Sequence, residues 1–74
     1  MKLEWHYWGE ASVLMNVGTQ RNTAWVELKP EGWRIQLWKD GTRTHKGRWE
    51  TIAHVPDLDA AKMIALLNVE GELV

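Results

Sequence analysis

The side chains that could carry out catalysis are few in this sequence, and their spacing does not assemble a catalytic group. Ser12 is the only serine, and no glycine turn surrounds it of the kind that exposes a nucleophilic serine. The histidines His6, His45 and His54 are too scattered to suggest a triad or a metal-binding pair. The absence of cysteine excludes a disulfide, a thiolate zinc site and a cysteine nucleophile. We therefore predict a protein that is not an enzyme and that uses no metal or cofactor.

Length and composition predict one small globular domain that spans residues 1–74. Hydrophobic residues make up 45% of the chain and charged residues 26%, which is ordinary for a globular protein and argues against disorder. No apolar run is long enough to cross a membrane, and the first residues lack the apolar stretch of a signal peptide. We expect a cytoplasmic protein, of a cell or of an infected host, without membrane contact.

Charge is divided unevenly along the chain. Residues 29–48 hold six Lys and Arg against two acidic residues, a net charge of +4, whereas the remainder holds three against eight, a net charge of −5. Such asymmetry is found in proteins with a charged partner surface. A solvated hairpin with ordinary lysines and arginines is the alternative explanation.

Tryptophan is the most unusual component, with six copies in 74 residues and no phenylalanine. Tryptophan fills cores, and it is also enriched at the energetic centres of protein interfaces. The position of each tryptophan on a strand therefore becomes the informative question.

Turn signals recur about every ten residues, which is the spacing of an antiparallel meander. Between the turns, apolar and other residues alternate with the period of two that half-buried strands show. Asp40-Gly41 is a strong hairpin signal, and Gly47 indicates a bulge or a close backbone approach. The predicted strands are Leu3–Trp8, Ala11–Val17, Thr23–Leu28, Trp33–Lys39 and about Arg43–Ala53.

After Pro56 the period changes to that of a helix. Asp57 is a suitable N-cap, residues 58–69 are mainly good helix formers, and Gly71 is the expected stop. The apolar part of this helix is wide, and Leu66 interrupts its polar stripe, which indicates a contact beyond the domain.

These elements predict an α+β fold: an antiparallel meander of about five strands, followed by one C-terminal helix packed on the sheet. A small, partly open barrel is the alternative, and it would bury more of the tryptophans.

Alternation assigns most tryptophans to one of the two sheet faces. If Val13, Val26 and Ile35 face the core, Trp5 and Trp33 join them, while Trp49 is ambiguous. The opposite face then carries Trp8, Leu14, Trp25, Arg34 and Trp38, with His6 on the same side. An apolar patch of that size normally marks an interaction site. The other interpretation is a second core layer.

Residues 33–49 contain an aromatic-Arg strand, an Asp-Gly turn followed by Arg43, and a Gly-aromatic pair formed by Gly47 and Trp49; Leu58-Asp59-Ala60-Ala61 then opens the helix. This pattern, over about residues 24–69, resembles the three-stranded-sheet-plus-helix DNA-binding domains of plant ethylene-response factors and of tyrosine-recombinase arm-binding domains. The resemblance implies a sheet that lies in the major groove, with Arg34, Gln36, Trp38 and Arg43 at the matching positions.

The leading hypothesis is a small non-enzymatic protein that docks on a protein partner through the Trp/Arg-rich sheet face and the basic hairpin. A phage or mobile-element accessory, such as an anti-CRISPR-type inhibitor, would fit this description. Nucleic-acid binding through the same face is the second hypothesis, and self-assembly into a small homo-oligomer through Leu66 and the helix is the third. The predicted partner-binding residues are Trp8, Trp25, Arg34, Trp38, Arg43 and Arg48.

Overall fold

Five strands in sequence order form one antiparallel sheet, and a helix covers one of its faces. A computed structural model of the protein describes residues 2–40 and 46–72, with Glu72 by its backbone alone. The elements are β1 (Leu3–Trp8), β2 (Ala11–Asn16), β3 (Arg21–Lys29), β4 (Gly32–Lys39), β5 (Arg48–Val55) and α1 (Leu58–Glu72).

This arrangement confirms the predicted α+β meander with a C-terminal helix. The sheet is open: β1 and β5 are its two edges, so the described strands do not close into the alternative barrel. The predicted Asp40-Gly41 turn, together with Arg43 and His45, reaches into segment 41–45, which lies outside the described residues. No helix of the described chain is long and apolar enough to span a membrane.

The helix lies close to the sheet because the residues that face it are small. Ala61 and Ala65 are fully buried, and Val69 continues their stripe at helical spacing. They pack on a cluster from the three central strands: Leu14, Ala24, Val26, Ile35 and Leu37. Trp5 and Trp33 are partly buried against this cluster, as the alternation predicts.

The helix begins as predicted but ends later. The carboxylate oxygen of Asp57 accepts a hydrogen bond from the backbone N–H of Ala60 at 3.0 Å, which makes Asp57 the N-cap. The prediction that Gly71 ends the helix is wrong, since the helix continues through Glu72. Gly71 does not adopt a positive φ, so it does not form the left-handed cap that commonly ends a helix.

Leu66 has a different environment from the predicted one. It is partly buried and packs against the core at the flank of the helix. The exposed apolar residues of the helix are Met63 and Leu67 instead. Leu66 therefore contributes to the core.

The two faces of β2 are reversed relative to the prediction. Leu14 is opposite Trp5 and Ala24, so it lies on the helix-covered face, where it is 1% exposed. Val13 is opposite His6 and Trp25 and lies on the other face. The alternation of β2 is misleading because its wholly apolar side, Ala11, Val13 and Met15, lies opposite the helix, whereas Ser12 and Asn16 share the helix-covered side with Leu14.

Two bulges shift the alternation in β3 and β5. Between β2 and β3, Thr23 is the extra residue, and its hydroxyl donates a hydrogen bond to the carbonyl of Leu14 at 2.8 Å. Between β4 and β5, the register shifts at Ile35/Gln36, so that Ile52 and Ala53 both face the core cluster. Beyond this second bulge, Trp49 points to the face opposite the helix, together with its partner Trp38.

On β1, a lysine from the helix holds two aromatic side chains. The ammonium of Lys62 lies 4.9 Å from the ring centroids of both Trp5 and Tyr7, within cation–π range. It also donates a hydrogen bond to the Tyr7 hydroxyl at 2.7 Å. The helix packs over β2 to β5, and the side chain of Lys62 connects it to the edge strand β1.

Enlarging the small stripe of the helix tests this packing. We expect Ala65→Leu to lower the free energy of unfolding by about 1–3 kcal/mol, because the added atoms have no space between helix and sheet. Ala60→Leu is the matched control: it makes the same change at an exposed position of the same helix and should alter stability by less than about 0.5 kcal/mol. Urea unfolding followed by circular dichroism measures both. Equal losses in the two variants would contradict the close packing.

Candidate functional site

Four tryptophans meet on the sheet face that the helix leaves uncovered; we call this face the outer face and the four side chains the tryptophan layer. The members are Trp8 of β1, Trp25 of β3, Trp38 of β4 and Trp49 of β5. Their ring centroids are 5.5 Å apart for Trp8 and Trp25, 5.9 Å for Trp25 and Trp49, and 5.4 Å for Trp38 and Trp49. All three contacts are edge-to-face, the geometry that the charge distribution of aromatic rings favours.

The tryptophan layer covers the sheet as a second helix would. Val13 is 0% exposed and Ala11 is 4% exposed, although no element of the described chain packs on their face. Val13 lies opposite Trp25, and Ala11 lies opposite Trp8. The small side chains of β2 allow the large rings on both sides to meet above them. The layer is therefore a second, thinner core with its other side in solvent.

Exposure differs along the layer. Trp25, Trp38 and Trp49 are partly buried, whereas Trp8, at the β1 end, is 54% exposed. Trp38 is fixed on two sides: its indole N–H donates to a carboxylate oxygen of Asp40 at 3.1 Å, and Gly47 lies directly against its ring. A Cβ atom at position 47 would overlap this ring, so the predicted close backbone approach at Gly47 is confirmed.

The charges beside the layer are largely paired within the molecule. A guanidinium nitrogen of Arg34 donates to the carboxylate of Glu27 at 3.2 Å, and the ammonium of Lys29 lies 3.5 Å from the same oxygen. Arg34 Nε is buried without a hydrogen-bond partner in the described chain, so this side chain is partly withdrawn from solvent. On the same face the ammonium of Lys2 lies 3.2 Å from one carboxylate oxygen of Glu4, and Nε2 of His6 lies 3.6 Å from the other.

At the other end of the layer lies a shallow cleft of about 410 Å³, lined by Arg21, Asn22, Trp38 and Trp49. Arg21 is largely exposed, and its guanidinium is 3.9 Å from the carboxylate of Asp40. The cleft thus places an accessible cation beside two indole rings. The sequence patterns did not single out Arg21, because it stands in a turn region before the apolar part of β3.

The structure brings together four of the six predicted partner-binding residues. Trp8, Trp25, Arg34 and Trp38 all lie on the outer face. Arg48 precedes Trp49, so alternation directs it to the other side of the sheet, where it lies 3.7 Å from Glu50. Arg43 lies outside the described residues.

Trp49 is the member that the sequence left ambiguous. The signal that could have assigned it is the pair Gly47 and Trp49, two residues apart on a strand that runs antiparallel to Trp38. A glycine that accommodates a ring from the neighbouring strand places the next aromatic residue on the same side as that ring.

Neither the grouping of possible metal ligands nor comparison with known proteins points to a further site in the described residues. Within residues 2–40 and 46–72, no three His, Asp or Glu side chains are grouped so that they could hold a metal ion. No protein-family model matches the chain, and comparisons with curated proteins and with solved structures return no match. The outer face must therefore be interpreted from its own chemistry.

The two-sided contact of Trp25 predicts unequal roles within the layer. We expect Trp25→Ala to lower the free energy of unfolding by roughly 3 kcal/mol, because it uncovers Val13 and removes two ring contacts. Trp8→Ala should cost only about 1 kcal/mol, because it removes one edge-to-face contact from an exposed ring. Urea unfolding followed by far-ultraviolet circular dichroism compares the two. If Trp8→Ala were the more damaging change, the layer would not act as a core.

The contact between Gly47 and Trp38 can be tested with a single methyl group. Gly47→Ala should displace the Trp38 ring and lower the free energy of unfolding by about 1–3 kcal/mol. The near-ultraviolet circular dichroism of the folded protein should also change, because Trp38 contacts Trp49. Gly18→Ala is the control, since a Cβ there would make only an ordinary contact at 3.4 Å with the Asn16 side chain. An unchanged spectrum for Gly47→Ala would contradict the close approach.

Proposed function

We propose that this protein binds a protein partner through its outer face, with the tryptophan layer at the centre of the contact. The observation that supports this most directly is a layer of four tryptophans on a sheet face that no described element covers, with Trp8 54% exposed. Contiguous apolar surface of this kind is uncommon on proteins that act alone, and it usually marks an interaction site.

The rigidity of the layer favours a binding role. Each ring is held edge-to-face by its neighbours, and Trp38 is fixed further by Asp40 and Gly47. Side chains that are already ordered lose little conformational entropy when a partner covers them, so more of the contact energy appears as affinity. Tryptophan is also among the residues that most often dominate the binding energy of protein interfaces.

The charge of the outer face favours a protein partner over a nucleic acid. Arg34 is held by Glu27, and Glu4 adds a second carboxylate beside His6. A surface for the phosphate backbone needs an excess of accessible Lys and Arg, because these release the counterions that condense on nucleic acids. The balanced pairs here suit a protein interface instead, with an apolar centre and a rim of charged groups.

A small inhibitor is one form that this function would take. A chain of 74 residues that covers part of a larger protein can block that protein by occupying its surface. An accessory protein of a phage or mobile element, such as an anti-CRISPR-type inhibitor, would use the outer face in this way.

Replacing the most exposed ring tests the proposal without unfolding the protein. The immobilised wild-type chain and its Trp8→Ala variant are each incubated with a lysate of the source cells, and retained proteins are quantified by mass spectrometry. We expect at least one protein to be retained by the wild type and depleted about tenfold or more by Trp8→Ala, as for a residue at the centre of an interface. The control is Leu28→Ala, an equally apolar exposed position on the opposite face, which should leave retention unchanged.

Two outcomes would count against this function. If Trp8→Ala retains the same proteins as the wild type and as Leu28→Ala, the outer face is not the docking surface. The second is saturable binding of purified duplex or single-stranded DNA with an affinity that falls steeply as salt rises, which would favour the nucleic-acid hypothesis. The intrinsic tryptophan fluorescence provides the signal for that titration.

A further inference from the structure

β1 is an exposed edge strand without the usual protection against pairing. Natural sheets guard their edges with bulges, prolines or lysines. β5, the other edge, contains a bulge and is followed by Pro56. β1 pairs with β2 over six residues without a register shift, and Leu3–Trp8 contains neither lysine nor proline. This edge is therefore regular, largely apolar and, within the part of the chain that the structure describes, open to another strand.

The hydrogen bonding to β2 determines which backbone groups of β1 point outward. The carbonyl of Lys2 accepts from the N–H of Val17 at 3.0 Å, so this pair is of the hydrogen-bonded type. In an antiparallel ladder, hydrogen-bonded and non-hydrogen-bonded residue pairs alternate. The backbone N–H and C=O groups of residues 4, 6 and 8 therefore point toward β2. The two-residue turn after Trp8, with Gly9 at a φ of 61°, agrees with this phase. Leu3, Trp5 and Tyr7 consequently present their N–H and C=O groups to solvent.

We propose that β1 pairs antiparallel with β1 of a second copy of this chain, so that the two sheets become continuous across a twofold axis at Trp5. In this register Trp5 forms a hydrogen-bonded pair with its own counterpart, and Leu3 forms one with Tyr7 of the other copy. The pairing uses the backbone groups that β2 leaves free. This pairing is separate from docking by the outer face, because it uses the edge of the sheet and joins two copies of the same chain.

The polar side chains of β1 distinguish this register from its neighbours. With Trp5 on the axis, Glu4 of each copy lies opposite His6 of the other, in the closely spaced type of pair. The smallest shift that keeps the outward N–H and C=O groups paired is two residues. In one direction this shift would set Glu4 opposite Glu4, which is repulsive. Sliding the strands in the other direction would set His6 opposite His6 and leave Leu3 without a partner. The register centred on Trp5 thus has the longest overlap, and it places each Glu4 carboxylate opposite an imidazole that can donate a hydrogen bond to it.

The side chains of β1 also fit a second copy. Tyr7 is 62% exposed, and Lys62 holds its ring from the helix side, which leaves the side toward the sheet edge uncovered. Leu3 of the other copy would lie against this ring as its cross-strand neighbour. On the outer face, Trp8 would lie opposite Lys2 of the other copy. A contact of one strand is smaller than a standard protein interface, so we expect a weak dimer.

Blocking one outward N–H tests the pairing. Sedimentation equilibrium of the wild type should show a dimer that dissociates on dilution. Tyr7→Pro removes an outward N–H at each of the two equivalent positions and should raise the dissociation constant at least about tenfold relative to Tyr7→Thr. Tyr7→Thr is the matched control, since it loses the same ring and the same Lys62 contacts but keeps the N–H. Circular dichroism verifies that both variants retain the sheet.

Introduced cysteines test the register, because the chain has none of its own. A mixture of Glu4→Cys and His6→Cys chains should form a disulfide between the two variants, whereas either variant alone should not cross-link, because its two thiols would be diagonal neighbours. Rapid cross-linking of Glu4→Cys alone, or of His6→Cys alone, would overturn the register centred on Trp5.

Two sedimentation results would overturn the dimer itself. One is a wild-type monomer up to about 1 mM, which means a dissociation constant well above that concentration. The other is equal association of Tyr7→Pro and Tyr7→Thr. Neither result bears on the outer face, since loss of partner binding in Trp8→Ala is measured independently of self-association.

Discussion

The exclusion of water from both faces of one five-stranded sheet is the constraint on which the rest of this structure depends. A single helix can cover only one face, and it does so through a stripe of small residues centred on Ala61 and Ala65. The other face has no covering element among the described residues, so its own side chains must shield the central strands. Tryptophan is the residue with enough area to do this from neighbouring strands. The composition and the architecture therefore have one cause.

The elements of the fold could be predicted from the sequence because most strands have one polar and one apolar side. β1 and β4 were assigned within one residue, and Trp5 and Trp33 were placed correctly on the helix side. β2 failed because its polar residues lie on the helix-covered side. Ser12 and Asn16 share that side with Leu14, whereas the wholly apolar side that carries Val13 lies beneath the tryptophans.

The candidate site was predicted in part, and the limit was again physical. Trp8, Trp25 and Trp38 follow from simple alternation, but Trp49 lies beyond a bulge that changes the phase of β5. A bulge depends on the pairing of two strands and has no reliable mark in either one alone. The arginines illustrate a similar limit. Their charge is visible in the sequence, but the ion pair that holds Arg34 against Glu27 forms only when β3 and β4 lie side by side.

The tryptophan layer supports the sheet and, in the proposed function, also contacts the partner, which has a consequence for how this surface can evolve. Rings at the middle of the layer support the sheet beneath them, so a substitution that alters partner choice at Trp25 also removes part of the fold. Trp8, with one ring contact and an exposed side, is free of most of that constraint. Under the proposed function, specificity can therefore change at the β1 end of the layer while its centre stays unchanged. Proteins that share this architecture would diverge in the partners they recognise from that end first.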